Sequence, residues 1–496
     1  MRHTTQITDK PEEKCGVFGI IGRKFESDTG LEAARMTFYG LWALQHRGQE
    51  SSGIVSSDGK ELYRHAAQGL VATVYREEDL EQLPGHLAIG HNRYSTSGGT
   101  EDYYNQPFLN RDHKIALAHN GTLPDTTKLE AFLTERGISL EELNDTSMML
   151  AAISCFMDDG KDFVDAIKQA WPLFTGAFSI VAMDNTRLVA FRDECGIRPL
   201  TIGTIDGGHV IASETCAFDT IGAQFLRDVE PGELVVIDDN GLTSEQIVPK
   251  NLKLDMFEMV YFSRPDSLLL GKRVDLVRQE LGKKMAQEFP IDADLVVPVP
   301  DSAIPAAIGY ARESGVPFEM ALIKNRYIHR TFIRPTTQLR ERDLKMKLNP
   351  VVDLMKGKRV IFIDDSIVRG TTMRHLVALA LEAGAKEVHL LISCPPVRYP
   401  DFYGINTPRQ SELLAAHMTV PEMKDHIGAT SLHFLSFEGM VAATGLPEDN
   451  FNNSCFNGRY PISIGKRADD IVELKPGDKL PESAYTKVEL ANTRTS

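Results

Sequence analysis

Residues 359–377, RVIFIDDSIVRGTTMRHLV, constrain the fold of this 496-residue chain more than any other stretch. Val360 to Ile363 form a short apolar run with β-branched residues, which predicts a buried strand. Asp364 and Asp365 stand at its C-terminal end. The loop SIVRGTT follows, and then an amphipathic helix beginning near Thr371 or Thr372. A strand, a polar glycine-containing loop and a helix in that order are half of a βαβ unit. In a parallel sheet, ligands sit outside the carboxyl ends of the strands. The helix start presents unpaired N–H groups and a positive dipole end to an anion. Gly370 permits close approach of backbone to phosphate, and Ser366, Thr371 and Thr372 add hydroxyl donors. The paired carboxylates repel a phosphate, so they suit sugar hydroxyls or a magnesium ion carried by a polyphosphate.

The surrounding sequence extends this pattern. DLVVPVP precedes AIPAAIGYARESG, and EVHLLIS follows the helix after Thr372. Strands alternating with helices predict a parallel α/β sheet over roughly 241–465. Ser302 lies at a second strand end, where it is either a helix N-cap or a ligand to magnesium or diphosphate. Residues 324–347 carry eight Lys or Arg against two acids, in a chain whose formal charge is −15. A basic island beside an anion loop predicts an electrostatic clamp, with Lys324, Arg330 and Lys347 among its members. The acidic balance of the whole chain argues against nucleic acid as a partner. No apolar run is long enough to span a bilayer. Six cysteines without a C-x-x-C pair argue against a disulfide framework or a zinc ribbon and predict a reducing, cytoplasmic setting.

The first half reads differently. Residues 1–14 are polar and tail-like, and order is expected to begin at Cys15 with the apolar strand CGVFGIIG. A helix from about Leu31 to Leu44 follows. Strand-like runs recur after it, around a second helical region near 147–170, and predict a layered α+β domain over 15–240 that ends at the DDNGLT turn. Residues 466–496 are polar and are expected to form a loose C-terminal extension. Four segments stand out: LQHRGQESSGI (44–54), GHNRYSTSGG (90–99), LAHNGTL (117–123) and LND (143–145).

The 359–377 segment resembles the phosphoribosyl-diphosphate (PRPP) loop of type I phosphoribosyltransferases, and the basic island resembles their mobile lid. The N-terminal segments, with Cys15-Gly16, resemble the class II N-terminal-nucleophile (Ntn) glutamine amidotransferases. Together they resemble the glutamine phosphoribosylpyrophosphate amidotransferase family from Cys15 to about Gly465. That resemblance implies an Ntn glutaminase domain followed by a phosphoribosyltransferase domain, and glutamine-dependent conversion of PRPP to 5-phospho-β-ribosylamine in purine biosynthesis. It implies that Cys15 is the nucleophile, freed by removal of residues 1–14 as a propeptide, with its own α-amine as base. Asn120 and Gly121 would form the oxyanion hole. Arg47, Arg93, Thr96 and Asp145 would bind glutamine. Asp364 and Asp365 would hold the ribose hydroxyls and magnesium, with Ser302 also on the metal, one ion per subunit. Ser366, Arg369, Gly370, Thr371 and Thr372 would hold the 5-phosphate. A homotetramer under purine-nucleotide feedback is implied as well. In this family a leader accompanies an iron–sulfur cluster on four cysteines, but the corresponding positions here are Asp255, Asp401, Asn452 and Cys455. One thiolate of four predicts no cluster, and Cys155, Cys195, Cys216 and Cys394 read as structural. Two other readings are a PRPP-binding regulator and another class II amidotransferase acting on a sugar phosphate.

Overall fold

The computed structural model describes residues 15–22, 32–94, 104–325, 348–405, 407, 409–475 and 477–480. The expected propeptide 1–14, Thr96, Arg330, Lys347 and nearly all of the basic island lie outside the described residues.

Alternation along Gly16–Gly22 shows how the first half layers. Phe18 and Ile20 pack toward the helix Glu32–Ala43, whereas Val17 and Ile21 pack against a second sheet. A strand buried on both faces has this period of two with apolar residues on each side. The strand Thr175–Met183 mirrors it. Phe178, Ile180 and Ala182 face the helices Asp145–Asp158 and Phe163–Ala170, while Val181 and Met183 meet the first sheet. The result is four layers: helix, sheet, sheet, helix.

The first sheet runs, edge to edge, Gln224–Asp228, Thr201–Ile205, Gly208–Ala212, Gly16–Gly22, Leu87–Arg93, Ser51–Ser57 and Leu62–Gln68. The second runs Gly241–Gln246, Glu233–Asp238, Leu188–Arg192, Thr175–Met183, Ile115–Asp125 and Phe108–Asn110. Both are antiparallel. The DDNGLT turn was expected to end the domain. Instead it closes a hairpin, pairing Asp238 with Gly241 and carrying the sheet on to Gln246. The two-residue loop Asp239-Asn240 between paired strands is of hairpin length, which explains the difference.

The second half builds a four-stranded parallel sheet in the order Leu295–Pro298, Arg359–Asp364, Glu387–Ile392 and Ser431–Phe434. Against it the helices Val274–Glu288 and Ile304–Ser314 cross with almost no space between their backbones. A Cβ on Gly282 would stand 1.8 Å from the Ala306 carbonyl oxygen. Gly282→Ala therefore forces the two helices apart. Overpacking of this kind costs about 3 kcal/mol, and thermal unfolding is expected to show the loss as a clearly lower Tm.

The C-terminal extension is anchored through residue 480, contrary to the loose segment expected. Arg398 donates to the carbonyls of Leu474, Lys475 and Asp478, and Leu474 and Leu480 are buried. Two well-spaced leucines and a remote arginine leave no local periodicity to find.

Candidate active site

Cys15 precedes the first strand and is half-buried, with its thiol 3.8 Å from the Tyr94 carbonyl. Burial pushes the thiol above its ordinary value, opposed by a hydrogen bond with the Tyr94 backbone and by Arg93, while Asp145 and Glu50 push it further up. Those influences place Cys15, Arg93 and Asp145, widely separated in sequence, in one neighbourhood. Arg93 ends its strand buried, its guanidinium over the Tyr104 ring. Asp145 opens a helix. Its carboxylate accepts from the N–H groups of Thr146 and Leu123, at 2.8 and 3.1 Å.

Asn120 is fully buried, and neither its Oδ1 nor its Nδ2 has a hydrogen-bond partner among the described residues. A buried amide without partners costs free energy. Such a group persists where a ligand atom completes it. Gly121 follows at φ +148°, and a Cβ there would stand 2.0 Å from the Ala177 carbonyl oxygen, so only glycine fits. His119 Nε2 bonds that same carbonyl at 3.2 Å and Nδ1 bonds the Thr146 hydroxyl at 3.0 Å. A carbonyl only accepts, so Nε2 carries the proton. Burial holds both nearby imidazoles down, His119 in direction and His91 to about 3, so neither is charged at neutral pH.

Arg47 is placed differently from the other expected glutamine ligands. Its guanidinium is buried and filled by Glu214 at 2.5 Å and by Glu258 at 2.7 and 3.0 Å. Its Nε reaches the Cys15 carbonyl at 3.4 Å. It meets Cys15 through backbone, with no guanidinium edge left for a substrate carboxylate. Glu214 and Glu258 were not singled out in the sequence. The only signal is at Glu258, an acid in the apolar run MFEMVYF.

The second constellation lies at the carboxyl ends of the parallel strands. Asp364 and Asp365 are both buried. The Ser302 hydroxyl donates to Asp365 Oδ2 at 2.5 Å and Ser366 to Oδ1 at 2.8 Å. The N-cap position of the helix Ile304–Ser314 is taken by Ala303, which makes no side-chain cap bond, and not by Ser302. The Thr371–Glu382 helix starts where expected, after Gly370 at φ +81°. Arg369 pairs with Glu412 at 2.7 Å and Lys324 with Asp301 at 3.0 Å. Burial pulls the Arg278 guanidinium down to about 10, and Asp365 is the largest charge opposing it. Hard oxygen donors from two strand ends suit magnesium. No group of three or more His, Cys, Asp or Glu poised for a metal occurs among the described residues. No helix among them is long and apolar enough to cross a membrane.

Two constellations, one around Cys15 and Asn120 and one at the carboxyl ends of the parallel strands, share this chain. Comparison with known proteins gives the same division. A glutamine amidotransferase domain family matches residues 91–220, and a phosphoribosyl transferase domain family matches residues 270–401. The amidophosphoribosyltransferase of Synechocystis is 48% identical over 463 residues, covering 92% of each chain. That of Bacillus subtilis is 45% identical over 460 residues, covering 91% of this chain and 95% of its own. A solved structure described as the allosteric regulatory enzyme of purine biosynthesis superposes with a TM-score of 0.85 at 44% identity, covering 92% of this chain and 97% of that one. The B. subtilis glutamine PRPP amidotransferase complexed with ADP and GMP gives 0.84 at 43% identity, covering 91% and 98%. Identity at this level over nearly the full length of each relative settles the kinship: the chain belongs to the amidophosphoribosyltransferase family.

Proposed function

We propose a division of labour within this glutamine-dependent enzyme of purine biosynthesis, carried above all by the buried Asn120 amide, which has no hydrogen-bond partner among the described residues and precedes Gly121. Residues 1–14 are removed, and the freed α-amine of Cys15 takes the thiol proton. Such an amine has a reference pKa of about 7.7–8.0, which suits a base near neutral pH. The thiolate attacks the glutamine amide carbon. Asn120 Nδ2 and the Gly121 N–H receive the developing oxyanion. Collapse expels ammonia and leaves a thioester, which water hydrolyses to glutamate. Arg93 matches the substrate α-carboxylate, Asp145 matches its α-ammonium, and Thr96 completes the glutamine pocket.

Ammonia then attacks C1 of PRPP and diphosphate departs, with inversion at that carbon. Asp364 and Asp365 orient the ribose hydroxyls. Ser366, Arg369, Gly370, Thr371 and Thr372 hold the 5-phosphate, and Lys324, Arg330 and Lys347 draw the diphosphate in. Asp364, Asp365 and Ser302 would hold magnesium, which when bound neutralises charge on the leaving diphosphate. The Asp255, Asp401, Asn452 and Cys455 set does not suit an iron–sulfur cluster. Arg198 fills the space with a guanidinium 3.0 Å from Asp255 and 3.7 Å from Asp401. Feedback by purine nucleotides, a homotetramer and a cytoplasmic setting complete the reading. Similarity over both halves favours neither a PRPP-sensing regulator nor a sugar-phosphate amidotransferase.

The purified protein, supplied with glutamine, PRPP and magnesium, should release glutamate and diphosphate in equal amounts, with glutamine hydrolysis rising on addition of PRPP. Glutaminase activity indifferent to PRPP, without diphosphate release, would refute this reading.

A further inference from the structure

Glu258 belongs to the segment that opens the second domain, yet its carboxylate lies at the junction of both halves of the glutaminase site. It starts a π-helical turn, Glu258–Phe262, and is fully buried. Arg47 holds it through two bonds, Arg198 at 3.2 Å and the Ser263 hydroxyl at 2.7 Å. Arg278 fastens the turn from the next helix, donating to the carbonyls of Met259 and Ser263.

Each arginine leads to a different part of the acyl-transfer site. Arg47 reaches the carbonyl of Cys15 itself. Arg198 donates through Nε to the Tyr403 carbonyl at 3.2 Å and sits 3.7 Å from Asp401, whose Oδ1 accepts from the N–H groups of Tyr403 and Ile405. The loop so fixed carries Gly404, at φ +114°. A Cβ on Gly404 would lie 3.3 to 3.5 Å from the carbonyl carbon, Cα and oxygen of Gly121. The second domain therefore abuts the backbone of the oxyanion glycine.

We infer that Glu258 is a positioning residue for glutamine cleavage, a carboxylate lent by the second domain that sets the Cys15 carbonyl through Arg47 and the Gly121 backbone through Arg198 and the 401–405 loop. This rests on the acyl-transfer roles of Cys15 and Gly121 proposed above. A nucleophile and an oxyanion hole must be held to within a fraction of an ångström, and small misplacements cost large factors in rate. Truncating one member of a buried charge network leaves the others uncompensated, so they move.

Glu258→Gln keeps the volume and removes the charge. Gly404→Ala adds one methyl against Gly121 and leaves the charges alone. Each is to be assayed for diphosphate release with glutamine and, separately, with ammonium salt. Both variants should lose tenfold or more in kcat with glutamine, with the KM for glutamine within threefold of wild type. Ammonia-driven release should stay within twofold. Equal losses with glutamine and ammonia, or undiminished glutamine turnover in either variant, would overturn the inference. Gly404→Ala decides alone if Glu258→Gln does not fold. A wild-type protein lacking glutamine-coupled diphosphate release would instead count against the proposed reaction.

Discussion

Cys15→Ala is expected to lower glutamine-driven diphosphate release by at least about 10³-fold, since loss of a covalent nucleophile removes the whole acyl-transfer route. Ammonia-driven release should persist, because the sugar site lies on the second domain and none of its side chains comes from Cys15. The electrostatics make the nucleophile's dependence on a base specific. Burial raises the thiol above its ordinary value, and Asp145 and Glu50 act in the same direction, against the Tyr94 backbone hydrogen bond and Arg93. A thiol so placed is protonated at neutral pH and must hand its proton away. Neither His91 nor His119 suits: burial holds His91 down to about 3, too weak a base for this thiol, and both Nδ1 and Nε2 of His119 are occupied. The α-amine of the same residue remains, provided that residues 1–14 are gone. Intact mass then supplies a second readout. Wild type should lack residues 1–14 and Cys15→Ala should retain them. Wild-type protein that turns over glutamine normally with those residues attached would remove the α-amine from the mechanism.

The pH dependence follows from the same base. The amine must be unprotonated to accept the thiol proton, so glutamine-driven kcat/KM should climb as pH rises through the amine's range, about 7.7–8.0 for an unperturbed group.

Legibility in the sequence followed how local each interaction is. The 359–377 segment was readable almost residue by residue. Its strand, acids, loop and helix are contiguous, and the helix begins at Thr371 as the pattern predicts. The helix Glu32–Ala43 and the buried strand after Cys15 were readable for the same reason, since their periods of 3.6 and 2 are carried by neighbouring residues. Arg47 shows where such reading ends. An arginine in a turn matches a carboxylate, but the sequence does not say which one. Glu214 and Glu258 lie 167 and 211 residues away and fill it before any substrate does. Gly404 carried no signal at all, because its neighbour is the backbone of Gly121 in another domain. The hairpin at 241 and the anchoring of 466–480 were missed on the same ground: pairing partners and sparse buried leucines leave no periodic trace.

The second large effect is expected at the sugar site. Asp365→Asn should cut both glutamine-driven and ammonia-driven synthesis by roughly 10²–10³-fold, the scale on which a preorganised electrostatic group contributes. Glutamine hydrolysis in the absence of PRPP should be spared. Two buried acids at one strand end hold charge in a low-dielectric position, where the Ser302 and Ser366 hydroxyls donate to Asp365 and its charge acts on the buried Arg278. Crowding two carboxylates at one buried strand end costs stability, and a position kept for a ligand carries that cost. Asparagine keeps the shape and removes that cost, so Tm should be unchanged or higher while activity collapses. The combination separates function from folding. Loss of Tm together with activity would make Asp365 a structural cap, and full synthesis by the Asn variant would remove the acid pair from the chemistry of the sugar.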